Sequence, residues 1–430
     1  QNTIMGGLAG DALTTGAENV AIGYLALSTE DAHGRNVAVG NNALRDLNAG
    51  ANGLNVAIGY DAGLAMTTGT NNTIIGALAG DALTTGSYNV AIGRNALSAE
   101  DTHGTNVAVG YDTLALQNAG ADAYNTAVGY AAGVNVSTGV QNTVVGGLAG
   151  DALTTGAGNT VIGYNALSGE DTGSRNVAIG FESLKVQNYN GNAYNVAIGY
   201  IAGQTMTTGI QNTLIGSLSG NALTTGAANV AVGYGALGTE DAHGRNVAIG
   251  HNSLATLNAG ADGNNVAVGY NAGVAMTSGV QNVVIGSLAG DTLTTGSYNI
   301  AFGYNALGSE DTGSGNVAIG HQALQDQDTG SNAFNVAIGF DAGKAMTTGV
   351  QNTIVGGDAG KAFTTGQRNV AVGYGALESE DAHGLNTAIG WAALNTLDAG
   401  ADGLNVAVGY SAGLAMTTAT HNTLIGANAG

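Results

Sequence analysis

Asparagine followed four residues later by glycine recurs 25 times along this 430-residue chain, and the phase never slips. The repeats fall into four kinds of 17, 17, 19 and 17 residues, together a 70-residue superrepeat that starts at residues 2, 72, 142, 212, 282, 352 and 422. The first kind reads NTIMGGLAGDALTTGAE, the second NVAIGYLALSTEDAHGR, the third NVAVGNNALRDLNAGANGL and the fourth NVAIGYDAGLAMTTGTN. A unit this short cannot bury a core alone, so neighbouring units must stack and share one. Length by itself would suggest roughly two or three globular domains. The unbroken period instead predicts a single continuous all-β structure over residues 1–430, a β-solenoid or β-roll in which each repeat is about one coil.

Within a repeat, two apolar residues bracket a small one just before the glycine, as in Val20, Ala21 and Ile22. That alternation has the period of a strand. A second apolar stretch, at Ala26 and Leu27 or at Leu13, can form the opposite wall, and the Thr-Thr-Gly and Glu-Asp-x-His-Gly segments read as turns. Glycine density and the absence of caps argue against helix. The recurrent asparagines (Asn2, Asn19, Asn36, Asn55 and onward) can bond amide to amide from coil to coil, satisfying groups that would be costly to bury singly. The glycines (Gly6, Gly23, Gly40, Gly59 and onward) supply a positive φ or a corner too tight for a Cβ. Three residues beyond each glycine stands Ala, Ser or Thr, as at Ala9, Thr113 and Ser183, which fits a narrow core.

Composition removes several classes of function. The chain has 74 glycines and no proline, which excludes collagen, and 44% apolar residues, which is too many for a flexible linker. A formal charge of −21 argues against nucleic acid and against anionic membranes as partners. There is no cysteine for disulfides or thiolate zinc sites. No apolar run reaches the length of a membrane span, so membrane insertion is not expected, and the chain opens at Gln1 without a signal-like segment. Residues 421–430 (HNTLIGANAG) echo residues 1–10 (QNTIMGGLAG), a pattern that predicts an excerpt of a longer array.

The phrase Asn-Val-Ala-Ile-Gly-x-x-Ala, at residues 19–26, 55–62 and 195–202, resembles the YadA-like head repeats of trimeric autotransporter adhesins. It is also similar to the Asn-Thr-Ala-x-Gly-Tyr-x-Ala arrays of phage tail fibres and large bacterial surface proteins, with residues 125–132 and 386–393 as local matches. The resemblance implies a β-roll, commonly left-handed. It further implies an extracellular place, on a cell or virion surface, and, for the adhesins, a homotrimer that binds host or matrix molecules.

Several features could carry function. In the first kind of repeat the third residue is bulky (Ile4, Ile74, Val144, Leu214, Val284, Ile354) where most other repeats have Ala. If the second and fourth residues point inward, these form an exposed stripe for association; if the alternation is reversed, they are core. Directly after the glycine, the other three kinds often carry an aromatic or His, such as Tyr24, Tyr60, Phe181, His251 and Trp391, which reads as a stacked ladder or as a sugar-binding platform. The 19-residue repeats hold two extra residues, so loops such as 48–54 and 118–124 should bulge. Tyr124, Tyr189, Tyr194 and Phe334 vary among those loops and are candidate binding residues.

Carboxylate pairs recur at Glu30/Asp31, Glu100/Asp101, Glu170/Asp171, Glu240/Asp241, Glu310/Asp311 and Glu380/Asp381, with His33, His103, His243 and His383 nearby. Neighbouring carboxylates point different ways and make a poor acid/base pair, so they read as solvated turn charges, with a weak divalent-cation site as the alternative. Thr-Thr pairs such as Thr14/Thr15 raise ice binding, against which stands simple turn chemistry before a glycine. No nucleophile triad, phosphate loop or cofactor motif stands out. The sequence therefore predicts a non-enzymatic extracellular fibre that acts as a rigid spacer and self-associates. Its alternative is an adhesin or tail-fibre module that binds cell-surface ligands through the loops of the 19-residue coils.

Overall fold

The computed structural model describes residues 1–430, in two units, 1–212 and 213–430, and contains strand but no helix. Each repeat contributes one three-residue strand ending just before its glycine. In the first unit these run from β1 (Thr3–Met5) to β12 (Val196–Ile198), each pairing in parallel with the next. In the second they run from β13 (Thr213–Ile215) to β25 (Thr423–Ile425), paired the same way. Register is like on like: Val20 lies on Val37, Ala21 on Ala38 and Ile22 on Val39. Both units are thus parallel β-solenoids, with coils of about 17 residues.

The strand alternation runs opposite to the sense that would expose the bulky third residues. Numbering each coil from its asparagine, position 3 is the buried one, and positions 2 and 4 face outward, half-exposed, throughout both units. Ile74, Val144, Leu214, Val284 and Ile354 are therefore core residues with no exposed surface, and only Ile4, in the first coil, is open. They do not form an association stripe. The reason is volume. Coils of the second and third kinds place Leu at position 9 (Leu27, Leu44) opposite Ala at position 3, whereas the first kind has Gly there (Gly10, Gly80) and needs a larger side chain to fill the same space. A Cβ on Gly63 would meet Leu44 and Ile74 reaching over it from the coils on either side, at 3.0 and 3.1 Å. Narrow cores packed to solid density leave little slack for both, and only the coil with Val161 and Leu167 combines a branched residue with the leucine.

The opposite wall is also bonded from coil to coil, with Leu27 N donating to Ala43 O and Gly63 N to Ala79 O. It is not a strand. Positions 7 and 9 adopt left-handed backbone, as at Leu25 (φ 55°) and Leu27 (φ 51°), so the wall is a stack of tight turns. An L-residue there costs about 1 kcal/mol, which the ladder and the burial of each leucine offset.

Candidate functional site

The asparagine column is a two-way clamp. The Asn142 side-chain amide donates across its own coil to Gly156 O at 2.9 Å, and its Oδ1 accepts the backbone N–H of Asn159, in the next coil, at 2.9 Å. Direct amide-to-amide bonds also occur, at 3.2 Å between Asn159 Nδ2 and Asn142 Oδ1, but the backbone contact is the constant one. In the 19-residue coils the two extra residues carry the cross-coil carbonyl away: Nδ2 of Asn36, Asn246 and Asn386 turns back to the carbonyl two residues before, at 3.3, 3.2 and 3.3 Å, and that of Asn106, Asn176 and Asn316 is left without a partner. The glycine column, with φ from 128° at Gly426 to 146° at Gly339, lets each corner lie directly under the carbonyl of the next corner.

The threonine pairs are part of the same scaffolding. Thr14 Oγ1 donates to Asp31 O at 2.9 Å and Thr84 Oγ1 to Asp101 O at 2.8 Å, each tying one coil to the next. The insertions do bulge: a Cβ added at the loop glycines Gly50, Gly120, Gly260 and Gly400 would meet open space. Tyr124, Tyr194 and Phe334 are exposed and Tyr189 is half-buried. Tyr124, Tyr194 and Phe334 do not sit at the loop tips, however; they stand in left-handed backbone immediately before the ladder asparagine. Arg175 spans to Tyr194, donating to its hydroxyl at 2.8 Å with the guanidinium 5.5 Å from the ring centre.

In four of the six superrepeats the positions after the glycine form ladders three rings high; Asn41 interrupts the first and Arg94 takes one place in the second. Tyr164, Phe181 and Tyr200 stack at 5.7 and 5.5 Å, Tyr304, His321 and Phe340 at 5.4 and 4.8 Å, and Tyr374, Trp391 and Tyr410 at 6.4 and 4.9 Å. The first kind of coil ends each ladder with Gly, Ala or Ser. These rings remain about half exposed.

The carboxylate pairs depart from the reading as solvated turn charge. The aspartates are open to solvent in part, but Glu30, Glu100, Glu170, Glu240, Glu310 and Glu380 have no exposed surface. Each occupies coil position 12, where the other coils place Leu13, Leu47 or Met66, so the carboxylate lies in a core column. Aligning position 12 across the four kinds of coil (Leu or Phe, Glu, Leu or Gln, Met or Val) was the available signal. The buried carboxylates are held by backbone N–H groups. Glu30 accepts from His33 N at 3.0 Å and Ala49 N at 3.2 Å, and Glu170 from Gly173 N at 2.7 Å and Tyr189 N at 3.2 Å. Glu310 also receives Gln327 Nε2 at 3.0 Å. Every buried glutamate has either a histidine three residues on or, in the next coil, a glutamine at position 12; Glu100 has both.

Burial pushes the Glu100 carboxyl up to about 7, against the backbone N–H groups that favour its ionised form, and raises Glu170, Glu240 and Glu380 in the same direction. Asp81, Asp151 and Asp291 are raised by burial as well. The native chain therefore holds more protons than the unfolded chain between the ordinary carboxyl value of 4.5 and about 7, and its stability falls as pH rises through that window. In the presence of a chelator, thermal unfolding is expected about 5 °C or more higher at pH 5 than at pH 8. Glu100→Gln should raise the pH 8 midpoint and leave the pH 5 midpoint unchanged; a parent chain that is more stable at pH 8 would contradict this.

Histidine completes a denser group at four of the six glutamates: Glu30, Asp31 and His33; Glu100, Asp101 and His103; Glu240, Asp241 and His243; and Glu380, Asp381, His383 and Asp398 each place one donor atom per residue within 4.8 Å of the others. No family model and no curated protein matches the chain.

Proposed function

We propose that the chain is a non-enzymatic, extracellular structural fibre, a rigid spacer whose coils associate with further copies through the outer face of the parallel sheet. The observation that carries this reading is the chemistry of that face. Positions 2 and 4 of every coil are Val, Ile, Thr, Phe or Met, half-exposed, and the aromatic ladders follow directly after the glycine. Across those three columns the one residue of full charge is Arg94, in a chain whose net charge is −21. Copies carrying that charge repel one another over most of their surface, and an uncharged apolar sheet face is where they can meet.

Light scattering coupled to size exclusion tests this. The parent chain should elute at twice its own mass or more. Ile58→Lys combined with Val128→Lys and Ile198→Lys, all at position 4, should elute as a monomer with unchanged circular dichroism. A parent that stays monomeric at high concentration would remove the association face.

A second reading, attachment to cell-surface ligands, draws on the exposed and variable Tyr124, Tyr194 and Phe334. Replacing all three by Ala and measuring adhesion of a displaying cell separates the two readings, since a pure spacer loses nothing.

A further inference from the structure

We infer that three of the Glu-Asp-His groups, at residues 30–33, 240–243 and 380–383, are binding sites for a divalent first-row transition-metal ion such as Zn2+. The acidic cluster alone does not carry this. The histidine does: Nδ1 of His33, His243 and His383 is closed off from solvent and has no hydrogen-bond partner, in three separate copies of the motif. In each it faces a carboxylate oxygen of the fully buried glutamate, at 3.7, 3.5 and 3.6 Å respectively. Those separations are loose ion-pair contacts when the imidazole is protonated and too long for an N–H···O bond, which closes to about 2.7–3.2 Å. Two donors each about 2.0–2.2 Å from a tetrahedral ion lie roughly 3.3–3.6 Å apart. The pairs have the spacing of neighbouring ligands around a metal.

The surroundings agree. The imidazole rings are about a third exposed although Nδ1 is not, so the solvent-facing Nε2 can hold the proton and leave the Nδ1 lone pair directed inward. The buried glutamate meets no Lys or Arg among its ion pairs, and a divalent ion with one aspartate and one glutamate leaves no net charge at residues 30–33 and 240–243 and a single negative charge at 380–383, where Asp398 joins. In these three copies the next coil offers Leu47, Leu257 or Leu397 at position 12, so no glutamine serves the carboxylate. One imidazole nitrogen with carboxylate oxygens suits a borderline ion such as Zn2+ better than Ca2+, which prefers an all-oxygen shell.

The remaining copies are internal controls. His103 Nδ1 already has the Thr102 hydroxyl at 2.9 Å, where the three sites have Ala32, Ala242 and Ala382. Gly173 and Gly313 replace the histidine altogether. The 380–383 site, which alone adds Asp398 to a histidine-bearing group, should bind most tightly.

The test uses the whole chain stripped with a chelator and titrated calorimetrically with Zn2+, with Co2+ absorption as a probe of nitrogen ligation. Three ions per chain are expected, falling to two in His383→Gln and to none in the triple variant with His33→Gln and His243→Gln. Asp398→Asn should weaken one site and leave the count at three. Circular dichroism confirms that the variants fold, and His383→Gln serves where the triple variant does not. A stoichiometry that His383→Gln leaves unchanged, or Co2+ spectra of all-oxygen ligation, would overturn the assignment, because uptake would then be diffuse binding to surface carboxylates.

Discussion

Replacing Gly93 with valine is expected to disrupt the coils around it, at a cost of about 4 kcal/mol or more. Gly93 has φ 131°, in a region that side chains other than hydrogen rarely enter. A Cβ there would overlap the carbonyl group of Gly110 in the next coil, and backbone atoms have no rotamer by which to move aside. The glycine corners stack directly, so the lesion cannot be absorbed by lengthening the coil. Gly120 is the matched control: it lies in an insertion, a Cβ on it would meet nothing within 4 Å, and Gly120→Ala should change stability by no more than about 0.5 kcal/mol. Because each coil touches only its neighbours, the damage should read out locally, as fast amide exchange in the coils flanking residue 93 while distant coils stay protected.

Asn142→Ala should cost about 3 kcal/mol, measured by denaturant unfolding or by exchange of the Asn159 amide. It removes the acceptor for Asn159 N–H, leaves the Gly156 carbonyl without its donor, and opens a space in a fully packed column. Groups left buried without a partner cost about 1–3 kcal/mol each. Asn176→Ala should cost distinctly less. Its Nδ2 has no partner in the native chain, and its Oδ1 accepts only the longer bond from Asn195 N at 3.3 Å. Equal effects at the two positions would mean that the clamp across the coil contributes nothing.

The contrast between those asparagines shows what the sequence could and could not disclose. The coil lengths, the register and the need for glycine at every corner were all legible, because a stacked structure repeats each constraint in a column and the columns can be read down the chain. The third asparagine of each superrepeat looked like the others. At Asn106, Asn176 and Asn316 the side-chain amide loses its partner, whereas Asn36, Asn246 and Asn386 turn back to the carbonyl two residues before them, and the difference depends on where a two-residue insertion leaves the chain.

The direction of the strand was hidden for a related reason. Val-Ala-Ile alternates equally well with alanine inside or outside, and three residues are too few for periodicity to choose. Core width chooses: with leucines already arriving from position 9, position 3 is alanine in every such coil but one, where Val161 fits beside Leu167, and the larger Ile74 is admitted because Gly80 stands where a leucine otherwise would. The same choice turns the branched residues outward and makes the sheet face apolar. The glutamates were misread because Glu-Asp beside glycine has the composition of an exposed turn. Their burial follows from the position they share with Leu47 and Met66, and backbone N–H groups make it tolerable.

Everything rests on consecutive coils lying in register. The chain has no cysteine of its own, so spin labels can be placed at will. Cysteines substituted for Val90, Val107 and Thr126, partners in consecutive strands, would carry three labels on one column. At the roughly 4.7–4.9 Å spacing of parallel strands, the three labels should couple by spin exchange and collapse the three-line nitroxide spectrum into a broadened envelope of more closely spaced lines. Three resolved lines, equal to those of the singly labelled chains, would contradict it.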